Sequence, residues 1–150
     1  MKLQVLSPLV ALVLVGLLCD SAHAESKSGP IKLAESQFGP SEGAPAIEMG
    51  KTVKLTAKFY ISDFFGSKVI NAGATVKNSG AAPMFYVFHV AFFDKDHRLL
   101  GCASQSSFGD QGLKPAEETQ LGSLLVTLPD SELKKVASYQ AAFYESEHKI

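Results

Sequence analysis

Between Glu25 and Ile150 the side chains whose types could do chemistry are few: His89, His97, His148, Cys102, Met84, some scattered acids and one run of serines. A transition-metal site needs several such donors at convergent spacing, and no H-x-H, H-x-x-H or C-x-x-C occurs. His89 and His97 flank one turn, and with Cys102 they make the only metal-binding alternative, a small periplasmic metal-binding protein using His89, His97 and Cys102. Asp94 and Asp96 begin like a calcium loop. Arg98 then stands at the next ligand position and Leu99 where glycine is needed, so a hairpin turn with solvated carboxylates is expected instead. GCASQSSFGD places Ser104, Ser106, Ser107 and Cys102 near Asp110 without the G-x-S-x-G spacing that exposes a nucleophile. Glu117 and Glu118 follow Pro115 in a loop and read as a solvated pair. No catalytic residue, metal or cofactor is assigned from these residues, and the chain reads as a non-enzyme.

The elements that carry them alternate with period 2. In KTVKLTAKFYISD, Val53, Leu55, Ala57, Phe59 and Ile61 share one side of a strand, and Thr52, Lys54, Thr56, Lys58 and Tyr60 the other. VINAGATVKN repeats this with Ala72, Ala74 and Val76 inward and Thr75 and Lys77 outward. An aromatic strand over about 84–94, the turn DKDH and the return strand RLLGCASQSS form a hairpin. Cys102, alternating with Leu100 and Ser104, reads as a small buried hydrophobe. ETQLGSLLVTL is a further strand, PDSELKKV one helical turn, and ASYQAAFYE a last strand with Tyr139, Ala141 and Phe143 on one face. Residues 25–50 are punctuated by Pro30, Gly39, Pro40, Gly43, Pro45 and Gly50, and hold one first strand, IKLAESQF. The sum is an all-β fold: an antiparallel immunoglobulin-like sandwich of about seven strands with one short helical turn.

His89 sits within FYVFHVAFFD. Tyr86, Phe88, Val90 and Phe92 are in phase and form the core side, which leaves Phe85, Val87, His89, Ala91 and Phe93 on the opposite face. That face is apolar except for the histidine, whereas a solvated sheet face carries threonine and lysine. Something is expected to cover it: the chain's own residues 25–50 or the loop of the following strand, or an unknown envelope protein or a second copy (self-association). Phe85, Val87, His89, Ala91 and Phe93 are therefore the candidate interaction face. Protonating His89 is expected to weaken the contact, because binding would desolvate the charge.

From Asn71 to Tyr144 the order is a strand ending VKNSG, an aromatic strand ending VAFFD, a D-x-D turn, a strand LLG, a loop LKPAEE, a further strand and a closing strand beginning SYQ. This resembles the FxLYD-type bacterial extracytoplasmic domains over about residues 71–144. The naming motif falls on Val90, Phe92, Phe93 and Asp94, with Val90 in place of the first Phe, Phe92 in place of Leu and Phe93 in place of Tyr. His97 stands where such turns usually carry glycine, so a positive φ there would be mildly strained. The resemblance implies an immunoglobulin-like sandwich with a non-catalytic role and carries over no active-site residue.

The first 24 residues, MKLQVLSPLVALVLVGLLCDSAHA, read as a signal peptide: Lys2, an apolar run from Val5 to Leu18, and Ala22-His23-Ala24 as a small-x-small cleavage signal. Cleavage after Ala24 leaves a secreted or periplasmic chain of about 125 residues starting at Glu25, with no membrane span. Leu18 precedes Cys19 where a lipoprotein signal carries a small residue, which argues against lipidation. The expected organisation is 1–24 leader, 25–50 N-terminal segment and 51–150 sandwich. Past the leader, 13 of the 14 basic and 14 of the 15 acidic residues remain, a balance that offers nucleic acid nothing. Cys102 is left without an intrachain partner, and the absence of tryptophan removes the usual sugar-stacking platform.

Overall fold

The computed structural model describes residues 22–107, 110–121 and 124–150. Among them nine strands and one short helix run in the order β1 (Ala22–Pro30), β2 (Ile47–Met49), β3 (Val53–Phe64), β4 (Ser67–Asn78), β5 (Phe85–Phe93), β6 (Leu99–Ser106), β7 (Glu118–Gln120), β8 (Val126–Thr127), α1 (Asp130–Leu133) and β9 (Ser138–Ser146). They form two antiparallel sheets. Sheet A has the order β1-β9-β5-β6; sheet B has β2-β3-β4-β7, with β8 also on β4.

Alternation drives the packing. Val53, Leu55, Ala57 and Phe59 of β3 and Ala72, Ala74 and Val76 of β4 are buried, and they face Tyr86, Phe88, Val90 and Phe92 of β5 and Ala141 and Phe143 of β9. Phe59 meets Phe92 edge-on across the two sheets at 5.2 Å, and Tyr86 stacks on Phe143 at 6.1 Å. Burial also holds the Tyr86 phenol above its ordinary pKa.

Two buried polar side chains tie loops to this core. Glu145 is 1% exposed and accepts the backbone N–H of Lys51 (3.1 Å), Thr52 (2.8 Å) and Val53 (2.5 Å). Three consecutive amides thus converge on one carboxylate, an anion cradle filled by the chain itself. Gly50, just before it, has φ +90, and a Cβ there would lie 1.9 Å from the Val53 carbonyl oxygen. Asn78 donates to the carbonyls of Ala82 and Leu113, both at 2.8 Å, and accepts Gly80 N–H at 2.8 Å.

Several expectations are corrected. The first strand is Ala22–Pro30, upstream of IKLAESQF; Ile31 and Leu33 pack on the core, but only Glu35 makes a strand-like bridge, to Ile61. Pro30 ends β1, and pairing with β9 supplies the regularity that β1's own sequence lacks. β1 also straddles the expected 24/25 boundary, while the rest of the leader, residues 1–21, lies outside the described residues. ETQLGSLLVTL holds two short strands, β7 and β8, on different parts of β4, with residues 122–123 between them outside the described set. Asp94 is not solvated. It is 3% exposed and accepts the N–H of Asp96 (2.8 Å) and Arg98 (2.9 Å) and the Arg98 Nε–H (2.9 Å). The carboxylate is thus committed to capping the turn rather than to water. Chiefly the Arg98 amide, with the Asp96 amide and the Arg98 guanidinium, holds its pKa below the usual range. His97 in the same turn has φ 59, a left-handed conformation that is mildly strained for a side chain other than glycine.

Candidate interaction face

β5 lies inside sheet A, with β9 on one side and β6 on the other, so its outward residues form rows across four strands. The register aligns Ser26, Ala142, His89 and Ser104 in one row. Ser28, Gln140, Ala91 and Cys102 form the next, and Ala24, Tyr144, Val87 and Ser106 the row on the other side. Pro30, Ser138, Phe93 and Leu99 close one end, and Ala22, Ser146 and Phe85 the other. None of these nineteen positions is Asp, Glu, Lys or Arg. The outer face of sheet B differs: Glu48, Lys54, Lys58, Lys77 and Glu118 occupy it.

The expected face is thus on one surface, though its members differ in access. His89 is exposed, Val87, Ala91 and Phe93 are half-buried, and Phe85 is buried. The open apolar area is smaller than five aromatic and aliphatic positions suggest, because flat rows of alanine and serine surround the histidine. A depression of about 250 Å³ opens beside His89, lined by Ala24, Ser26, Ala142 and Tyr144 among others. A larger groove of about 630 Å³ lies at the hairpin end, between Pro30, Phe93, His97 and Tyr139.

The chain's own N-terminal segment does not cover this face. Glu25–Pro30 extends sheet A at its edge as part of β1. Beyond it, Ile31 N–H bonds Ala137, Ala34 and Ser36 bond Ile61 of β3, Lys58 donates to the Glu42 carbonyl, and Pro40 sits against Gly73 of β4. Ile31 is thus held at the end of sheet A, and from Ala34 onward those contacts take the segment to sheet B. Two β1 side chains close the side of the sandwich instead. Glu25 accepts Gly50 N–H at 2.7 Å, which depresses its pKa, and Lys27 donates to the Glu48 carbonyl.

Cys102 is a second correction at this surface: it is exposed, on the outer side of β6 opposite Ala91. The core side of β6 belongs to Gly101, Ala103 and Gln105, and Gly101 leaves the space that Val126 and Leu128 fill, since a Cβ there would lie 2.6 Å from Val126 Cγ1. The metal alternative is split. His89 and Cys102 are diagonal neighbours on one face, while His97 lies in the turn beside the larger groove. Among the described residues no group of three or more His, Cys, Asp or Glu side chains converges.

Sequence reasoning found the β5 residues and missed their neighbours on β1 and β9. The signal was present in ASYQAAFYE, where Gln140, Ala142 and Tyr144 fall out of phase with the core set. No family profile and no curated protein matches the sequence.

Proposed function

We propose that the chain is an exported, non-catalytic β-sandwich module whose outer sheet A face, centred on His89, docks another protein of the cell envelope. The observation that carries this reading is the missing charge. A sheet face exposed to water for its own sake is usually lined with lysine, glutamate and threonine, as sheet B is, whereas sheet A presents alanine, serine, one histidine and half-buried aromatics over four strands. Charged residues are depleted at the centre of protein contacts, and a flat face of small side chains admits close approach of a second surface. The absence of any described helix long and apolar enough to cross a membrane is compatible with export in free form. The signal peptide, with cleavage after Ala24, and the FxLYD-type resemblance belong to the same proposal.

The test places charge where it disturbs nothing else. Ala142 is exposed at the middle of the face, so Ala142→Lys keeps the fold and interrupts contact. Thr56→Lys on the outer side of sheet B is the matched control. If Ala142→Lys and the control give the same profile of cross-linked envelope partners, the reading fails.

A further inference from the structure

A sheet edge offers unpaired N–H and C=O groups to any other strand, and proteins usually guard such edges with charge, proline or shortness. Three of the four edges here are guarded. β2 has three residues, β7 and β8 have three and two, and β1 carries Glu25 and Lys27 and ends at Pro30. The fourth, β6, is eight residues long, LLGCASQS, with neither a charge nor a proline. Among the described residues no strand pairs with its far side.

The hydrogen bonding shows which groups are free. Ser107 N–H donates to the Tyr86 carbonyl at 3.0 Å, and the register runs without a break from Val87↔Ser106 to Phe92↔Gly101. Antiparallel alternation then gives Gly101, Ala103 and Gln105 to β5 and turns the N–H and C=O of Cys102, Ser104 and Ser106 away from it.

We propose that this edge is a homodimer seam, in which β6 of one copy pairs antiparallel with β6 of a second about a two-fold axis close to Cys102. Sheet A then continues through eight strands. Two features choose a second copy over another partner. A strand with free groups at every second residue meets its own antiparallel copy at the same spacing, so the pairing satisfies both sides at once. A two-fold axis also brings any residue near it against itself, which excludes charge there, and Leu99–Ser106 has none. A peptide selected by charge would find no counter-charge on this strand. Leu99, 59% exposed at the strand's start, gains cover from the partner's far end. A single strand pair falls short of the about 2,000 Å² or more of a permanent interface, so association is weak and concentration-dependent. It is separate from the sheet face proposed above.

Sedimentation of the purified chain across a concentration series tests this, together with a short bismaleimide that links two Cys102 thiols. Residues opposite each other in an antiparallel pair lie about 4.5–5.5 Å apart between Cα atoms, so the two thiols come within its reach. Ser104→Pro removes an outward N–H and spares the Ala103 and Gln105 bonds to β5. Cys102→Lys keeps the backbone and brings like charges together at the axis, and its sedimentation decides the matter if the proline variant fails to fold. The expected result is a reversible native dimer, linked through Cys102 and retained in Ala142→Lys. In Ser104→Pro and Cys102→Lys association falls at least tenfold, and in Ser104→Pro single-site labelling of Cys102 continues. A native chain that stays monomeric at every concentration overturns the seam, as does a dimer indifferent to both edge variants. A dimer lost in Ala142→Lys and kept in Ser104→Pro and Cys102→Lys also overturns it, and moves the contact to the sheet face.

Discussion

Removing the Glu145 carboxylate should be among the most damaging single changes, although the residue is five positions from the C-terminus. It satisfies three amide donors, one of which, Val53 N–H, is fully buried, while those of Lys51 and Thr52 are part-buried and can turn to water. A hydrogen bond to a charged acceptor is worth about 1.5–3 kcal/mol, and a buried donor left without a partner costs about the same. Losing the Val53 bond accounts for about 2–3 kcal/mol, and the two rehydrated donors for about 0.5 kcal/mol each. Relief of the carboxylate's own desolvation offsets about 1 kcal/mol. Those terms net about 2–3 kcal/mol, and the cavity left by Glu145→Ala adds about 1 kcal/mol, so a loss of about 3–4 kcal/mol is expected, against a total of about 5–15 kcal/mol for a domain of this kind. Glu145→Gln keeps one acceptor oxygen and turns an amide donor toward another, so about 2 kcal/mol is expected. Urea unfolding reads both as a lower midpoint at unchanged slope. A glutamine variant indistinguishable from the native chain, or an alanine variant within about 0.5 kcal/mol of it, would refute the cradle as a stabilising contact.

Gly50→Ala places a Cβ against the Val53 carbonyl oxygen at positive φ, and a loss of about 2–4 kcal/mol in the same assay is expected. Phe65 is 95% exposed and forms, with Gly66, a two-residue turn with φ 50 and 83, a geometry that prefers asparagine at the first position; Phe65→Asn should raise the thermal midpoint, by about 0.5 kcal/mol in stability. Asp94 has its carboxyl pKa lowered on folding, so its contribution is complete above the ordinary aspartate pKa of about 3.9 and is lost as pH falls through the lower folded value. Asp94→Asn should accordingly be less stable than the native chain at neutral pH, with the difference narrowing in acid; a difference that widens on acidification would contradict the turn geometry.

How far the fold could be read from sequence depended on whether a residue's neighbours or its own type decided its place. β3, β4 and β5 alternate strongly, and their inward residues are the buried ones. The hairpin of β5 and β6 and the helical turn at Asp130–Leu133 also follow from local signals. β1 was illegible because AHAESKSGP has no apolar period and owes its conformation to pairing with β9. Cys102 was misplaced because Leu99 and Leu100 suggest a phase that the irregularity at Phe92/Phe93 shifts, and because the true core side of β6 is small and polar. Glu145 and Asn78 could have been found. Each continues a core phase, Tyr139-Ala141-Phe143-Glu145 and Ala72-Ala74-Val76-Asn78, and a polar residue in phase with a core is one whose hydrogen bonds must be met inside. The interaction face was legible in β5 alone, since its breadth depends on pairing across four strands.

The claim that the uncharged face of sheet A is a contact surface is tested most directly by a photo-crosslinking side chain placed at Ala142, and separately at Thr56, in the chain expressed in its native host. Ala142 lies beside His89 on the uncharged face and Thr56 between Lys54 and Lys58 on the charged one. The account predicts a discrete heavier adduct from position 142, absent from position 56. Equal adducts from both positions, or none from position 142 while position 56 gives one, would contradict it.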